Sequence, residues 1–272
     1  MTIARAEAPD APSTPAPGVI GGRPAALVWR ALGEARHYRA LVNMVRLYPR
    51  PADAVARYVF GRGRYPARVA VRTPMGLVRP ALYSRHDMLT LNEVFCRRDY
   101  ELAGPSRVVV DVGSNIGLSA LYFLTRRSRP FCYLYEPDPR NVARLRENLS
   151  AYEDCWELAE AAVGAREGRV RFSTEPTGRY GCVGDAGGDA IDVDCLAIND
   201  VLERALTRCG AIDLVKIDTE GLELETVRAM DPSLLRHVRT IAIEAEPDGP
   251  LHPALFAQRQ YGSVCRLTQR AS

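Results

Sequence analysis

The chain has 272 residues, 47% of them hydrophobic and 25% charged, a balance that fits a folded globular protein with room for a substantial core. Its net charge of +3 hides an asymmetry, +9 over residues 1–100 and −6 over residues 101–272, that suits contact between the halves, a dimer surface through the N-terminal part, or an opening for an anionic substrate. No run nears the roughly 18–20 apolar residues of a membrane span, no secretory signal is recognisable, and seven scattered cysteines with four separated histidines and no CxxC pair argue against a disulfide framework or a structural zinc site.

A cytoplasmic protein without a membrane partner is therefore expected. The arginines are dispersed and lack a nucleic-acid reader motif, so no nucleic-acid partner is expected either. Lys216 is the single lysine beside 35 arginines.

In chain order, residues 1–22 are rich in Ala, Pro and Gly without a repeated apolar face and read as a disordered leader. Residues 23–86 read as an extension. Leu27, Ala31, Tyr38, Leu41, Val42 and Val45 recur at helical spacing after Pro24, which suits a first helical turn. A short helix follows over residues 52–60, then two strand-like runs flank Pro74-Met75-Gly76 as a hairpin. Residues 87–100, DMLTLNEVFCRRDY, return to helical spacing.

From Val108 onward the character changes. Apolar runs RVVVDVG, FCYLYEP, WELAEAAVG, LVKIDTEG and RTIAIEAEP alternate with helical patterns over residues 118–127, 139–151, 196–207 and 222–230. Continuous apolar strands joined by helices predict a mainly parallel sheet covered on both faces, an α/β domain over residues 87–272. The segment 169–197 interrupts that rhythm with two strand candidates around a Gly-rich loop, an expected antiparallel elaboration. After residue 255 there is room for one convincing strand, so either the last sheet edge is reduced or the segment 169–197 compensates for it.

Ligands of such sheets collect beyond the strand C-termini where the strand order reverses. The first strand ends at Asp111, and Gly113, Ser114, Asn115, Ile116 and Gly117 turn into a helix. Alone, this turn leaves dehydrogenases, methyltransferases and a structural turn open. Glu136 ends the second strand before Pro137, placed to accept hydrogen bonds from ribose hydroxyls. The turn lacks the compact GxGxxG spacing, and Asp111 at its front suits a cationic ligand better than a pyrophosphate.

The ordered blocks EVFCRRDY, VVVDVGSNIGLSA, YLYEPDPRNVARLRENL, AAVG, IDLVKIDTEGLELETV and TIAIE together resemble the FkbM family of S-adenosylmethionine-dependent methyltransferases, from about Asp87 to the C-terminus. The resemblance implies a class I, Rossmann-like fold with a central sheet of the seven-stranded type and S-adenosyl-L-methionine as cofactor. It implies that Asp111, Gly113, Ser114, Asn115 and Gly117 form the cofactor loop, Glu136 with Pro137 the ribose end and Ala161 and Ala162 the adenine flank, while Glu93 and Tyr100 pack across the entrance. Leu196-Ala197 departs from the leucine-aspartate pair usual there. The implied activity is O-methylation of a small polar or sugar-containing metabolite in natural-product (antibiotic) biosynthesis, with N-methylation or a non-catalytic cofactor-binding role as alternatives.

For the chemistry, Asp218, Glu220 and Glu244 are candidate orienting or proton-accepting carboxylates, and His252 a candidate base. Asp218 also suits the cofactor pocket. A salt bridge to Lys216 or a helix cap would equally explain Asp218, and clustered acids are also compatible with a divalent cation, although no metal site is assigned.

Overall fold

The computed structural model describes residues 19–20, 23–24, 35–174, 182–183, 189–219 and 221–270. Most of the leader, the helical pattern over residues 25–34, Glu220 and most of the Gly-rich loop lie outside them. Val19–Ile20 pairs antiparallel with Arg23–Pro24. Pro24 thus belongs to a short two-stranded pairing.

The extension begins with α1 (Ala35–Leu47) and α2 (Pro51–Phe60), which Gly61 ends in the left-handed conformation. The hairpin forms as expected: β1 (Val71–Thr73) and β2 (Gly76–Val78) pair antiparallel around the turn. α3 (Arg85–Asn92) starts at a Ser84–Asp87 capping box, in which each side chain satisfies the other's free amide. It runs directly into a π-helical turn, Glu93–Arg97, closed by Arg98 at φ 61°. On α1, Ala40 and Met44 are buried against the domain, whereas Tyr38, Leu41, Val42 and Val45 remain exposed.

The remaining chain forms β3 (Val108–Val112), α4 (Leu118–Leu124), β4 (Phe131–Tyr135), α5 (Pro139–Leu149), β5 (Trp156–Ala159), β6 (Ala162–Gly164), β7 (Gly168–Thr174) and β8 (Asp189–Ala197). It continues with α6 (Ile198–Cys209), β9 (Leu214–Ile217), α7 (Glu223–Arg228), α8 (Pro232–Leu235), β10 (Thr240–Ile243), β11 (Phe256–Tyr261) and β12 (Val264–Gln269).

Seven strands make the central sheet in the order β11-β12-β10-β9-β3-β4-β5. Only β12 runs against the others. The last edge is therefore complete, neither reduced nor in need of compensation. β11 escapes an apolar-run reading because only Phe256 is buried and residues 257–261 face solvent, as befits an edge strand. The run WELAEAAVG is two strands. β5 closes the large sheet, and β6 turns away to pair with β8, which with β7 forms the expected antiparallel elaboration.

Strand alternation sorts the core into two layers. Val108, Val110, Val112, Val215 and Ile217 face α6 and α7; Val109, Leu214 and Ala242 face α4, α5 and the extension. Asp111 lies opposite Lys216, and Lys216 opposite Ala242, in the sheet register. Period two then puts Asp111, Lys216, Asp218 and Glu244 on that second face, at the strand C-termini. Order reverses between β3 and β9, so the charged side chains converge where such sheets bind ligands.

Candidate active site

A cleft of about 1150 Å³, counting its open mouth, lies there. Of the residues proposed from sequence, Glu93, Tyr100, Gly113, Ser114, Asn115, Glu136, Pro137, Ala161, Ala162, Asp218 and Glu244 all line it.

The Gly113 turn is built for close approach. Gly113 has φ 74°, and a Cβ there would stand 1.9 Å from the Asp218 carbonyl oxygen, so only glycine lets β3 and β9 meet. Gly113 and Ser114 both donate their amides to the Tyr135 carbonyl at 3.0 Å. Asn115, at φ 49°, turns its amide onto Glu136 Oε2 at 2.8 Å.

Glu136 Oε1 accepts from the Asp138 amide at 3.0 Å and from Asn141 Nδ2 at 3.3 Å. Three donors on a carboxylate with about four acceptor positions leave one free. Burial pushes the Glu136 carboxyl up to about 7 in spite of these bonds. A buried acceptor with spare capacity, beside a turn cleared of side chains, fits an adenosyl ribose.

Two loop residues do not reach the cleft. Asp111 is fully buried behind it, accepting from Ser119 Oγ at 2.5 Å and pairing with Lys216 Nζ at 3.0 Å. It braces the loop from behind and is not the ligand-facing acid expected from sequence. Gly117, at φ 83°, packs against Leu145 and Leu149, so its absent side chain serves the α4–α5 contact.

Lys216 Nζ is the hub. Besides Asp111 it donates to the Gly113 carbonyl at 3.0 Å, pairs with Asp218 Oδ2 at 3.4 Å, and lies 5.6 Å from the centre of the Tyr100 ring. Burial opposes its charge, but Asp111 and Asp218 outweigh that and raise its pKa. Sequence reading named this lysine only as a partner of Asp218; its being the sole lysine was the available signal.

Glu244 directly follows β10 at the cleft mouth and is exposed to solvent there. The surrounding protein, then Asp218 and Glu93, pushes its carboxyl up to about 7 against the opposing pull of Ser263 and Lys216. His252 is elsewhere: its Nε2 contacts the Val227 carbonyl at 2.7 Å and its backbone is left-handed at φ 44°. It holds a loop and does not line the cleft. Glu220 lies outside the described residues.

Thr90 from α3, Asn141 from α5 and Phe172 from β7 also line the cleft and escaped sequence reading. Asn141 alone carried a local signal, five residues beyond Glu136 in the first turn of α5. Among the described residues no three His, Cys, Asp or Glu side chains form a metal-binding group, and no helix is long and apolar enough to cross a membrane.

A family model described as the methyltransferase FkbM domain matches residues 111–263. The chain is similar to the 31-O-demethyl-FK506 methyltransferase FkbM of Streptomyces tacrolimicus, 24% identical over 230 residues that cover 71% of this chain and 87% of that protein. It is similar to the hexuronic acid methyltransferase AglP of Haloferax volcanii, 24% identical over 186 residues, 64% of this chain and 75% of that protein. A shorter match, 41% identical over 71 residues, is to the 2-O-methyltransferase NoeI of Sinorhizobium fredii and spans 26% of this chain and 29% of that protein.

Proposed function

This chain belongs to the FkbM methyltransferase family, and we propose that it uses S-adenosyl-L-methionine to methylate a hydroxyl of a small polar or sugar-containing metabolite in natural-product biosynthesis. The observation that carries this reading is the two-ended cleft. At one end Gly113 and Glu136 form a ribose-sized acceptor cradle, and at the other Glu244 stands with a carboxyl near neutrality.

S-adenosylmethionine supplies an electrophilic methyl group on a sulfonium. Asn115, Glu136 and Pro137 would hold its ribose end, and Ala161 and Ala162 would flank its base. Tyr100 and Glu93 line the cleft together with Asp218 and Glu244.

With the cofactor bound, its sulfonium would be the leaving group of the methyl transfer, and Glu244 is the carboxyl on the cleft that would take the proton released by the acceptor hydroxyl. A carboxyl near 7 can accept that proton at neutral pH and return it to water afterwards. Asp218, tied to Lys216, orients the hydroxyl. The names of the FK506 and 2-O relatives, both oxygen methyltransferases, support an oxygen acceptor.

The test is a turnover screen of polar hydroxyl compounds with S-adenosylmethionine, read by mass spectrometry. Products heavier by one methylene whose methyl is an ether are expected. Methylation confined to nitrogen would overturn the oxygen assignment.

A further inference from the structure

The wall around Glu244 carries more than a proton acceptor. The π-helical turn after α3 places Glu93 and Tyr100 on the cleft, facing Asp218 and Glu244 from the ends of β9 and β10. Tyr100 is only 5% exposed, yet among the described residues its hydroxyl has no hydrogen-bond partner. Its hydroxyl is not among the fully buried unsatisfied atoms, so it opens onto the cleft that Tyr100 lines and is free to bond a ligand there. Asp218, Glu244, Asp111 and Glu93 all act on it electrostatically.

The cations nearby are already engaged. Arg97 Nε donates to Asp99 at 2.9 Å and its Nη1 lies 3.5 Å from Glu93; Lys216 is shared by Asp111 and Asp218. Among the described residues the carboxylates lining the cleft, Asp87, Glu93, Asp99, Glu136, Asp218 and Glu244, therefore outnumber its lining cation Lys216, with Arg97 and Arg266 both bonded to Asp99, and S-adenosylmethionine adds only one net positive charge.

We propose that Glu93, Tyr100 and Glu244 form the acceptor subsite and that it takes a hydroxyl compound bearing a protonated amine, of the amino-sugar kind, in preference to a neutral or acidic one. This rests on the methyl-transfer reading of the cleft. The ammonium sits against Glu93 and Glu244, and the Tyr100 hydroxyl hydrogen-bonds the acceptor. An acceptor carboxylate or phosphate meets like charges on three sides, which is rejection by repulsion.

Binding has a proton signature. Burial, then crowding from Asp218 and Glu93, lets Glu244 hold a proton near pH 7 against the opposing hydrogen bond from Ser263 and charge of Lys216. An ammonium beside it favours the carboxylate, so the amine ligand expels part of that proton.

The experiment is calorimetric titration of the full chain, first with S-adenosylhomocysteine and then, saturated with it, with the methyl glycosides of glucosamine, glucose and glucuronic acid. The amine probe is expected to bind at least about tenfold tighter than the acid, one decade of affinity, with the neutral probe between them. Its heat should vary with buffer ionisation enthalpy at pH 7, and the spread should collapse in an E93Q/E244Q variant that melts like wild type.

Equal or tighter binding of the glucuronide, no saturation by the amine probe, or a spread that persists in the variant would overturn the subsite while S-adenosylhomocysteine still binds. Failure of S-adenosylhomocysteine itself would instead overturn the cofactor reading.

Discussion

Replacing Lys216 with methionine tests the hub on which the cleft geometry depends. The ammonium is 2% exposed and touches Asp111, which is fully buried, at 3.0 Å and Asp218 at 3.4 Å. Removing one member of such a pair leaves a buried charge uncompensated, a loss of about 3–5 kcal/mol. For a protein of this size each kcal/mol moves Tm by about 2–4 °C, so K216M should melt roughly 6–20 °C lower by circular dichroism. In K216M/D111N both charges are gone, and stability should return to within about 1–2 kcal/mol of wild type.

The sign with pH follows from the direction of the lysine shift. Its folded pKa is raised, so its contribution is fully present below the unfolded lysine value of about 10.4 and is lost only as pH rises through the folded value. The wild-type protein should therefore show no loss from this group up to about pH 9. A K216M variant melting within about 2 °C of wild type, or a double variant no better than the single, would refute the reasoning.

Gly113→Ala forces a Cβ onto the Asp218 carbonyl at 1.9 Å, so S-adenosylhomocysteine affinity should fall at least about tenfold, or about 1.4 kcal/mol, by calorimetry. The Glu136 carboxyl at about 7 is raised above its unfolded value, so its stabilising effect is present at acid pH and declines as pH rises through about 7; E136Q should flatten that part of a Tm–pH profile. Ligand binding that needs the carboxylate should weaken in the opposite direction, below about pH 7, and lose this dependence in E136Q. Glu244→Gln should cut kcat by about 10²–10⁴ and abolish the acid limb near pH 7, while S-adenosylhomocysteine binding stays within a few fold. His252→Ala should leave kcat within about twofold, because among the described residues its ring bonds the Val227 carbonyl away from the cleft; a large loss would return it to the chemistry.

Much of this was legible in the sequence for identifiable reasons. Buried parallel strands are continuous apolar runs, so β3, β4, β9 and β10 stood out, and Gly113 and Glu136 followed from strand ends. Alternation correctly put Lys216 and Asp218 on one face. It did not reveal that Asp111, on that same face, lies one layer behind the cleft, because depth is set by Ser119 and Lys216 closing over it. β11 was hidden by its exposed polar side chains, and the split of β5 from β6 by an apolar run that continues across both. The proximity of α3 and its π-helical turn to Glu244 joins residues about 150 apart, which no local pattern encodes.

Everything assigned to the cleft depends on which nucleotide it holds. Calorimetric titration of the purified chain with S-adenosylhomocysteine and, separately, with NAD tests this. Saturable binding of S-adenosylhomocysteine that G113A weakens, with no heat from NAD, is the predicted result; saturable binding of NAD with none of S-adenosylhomocysteine would contradict it.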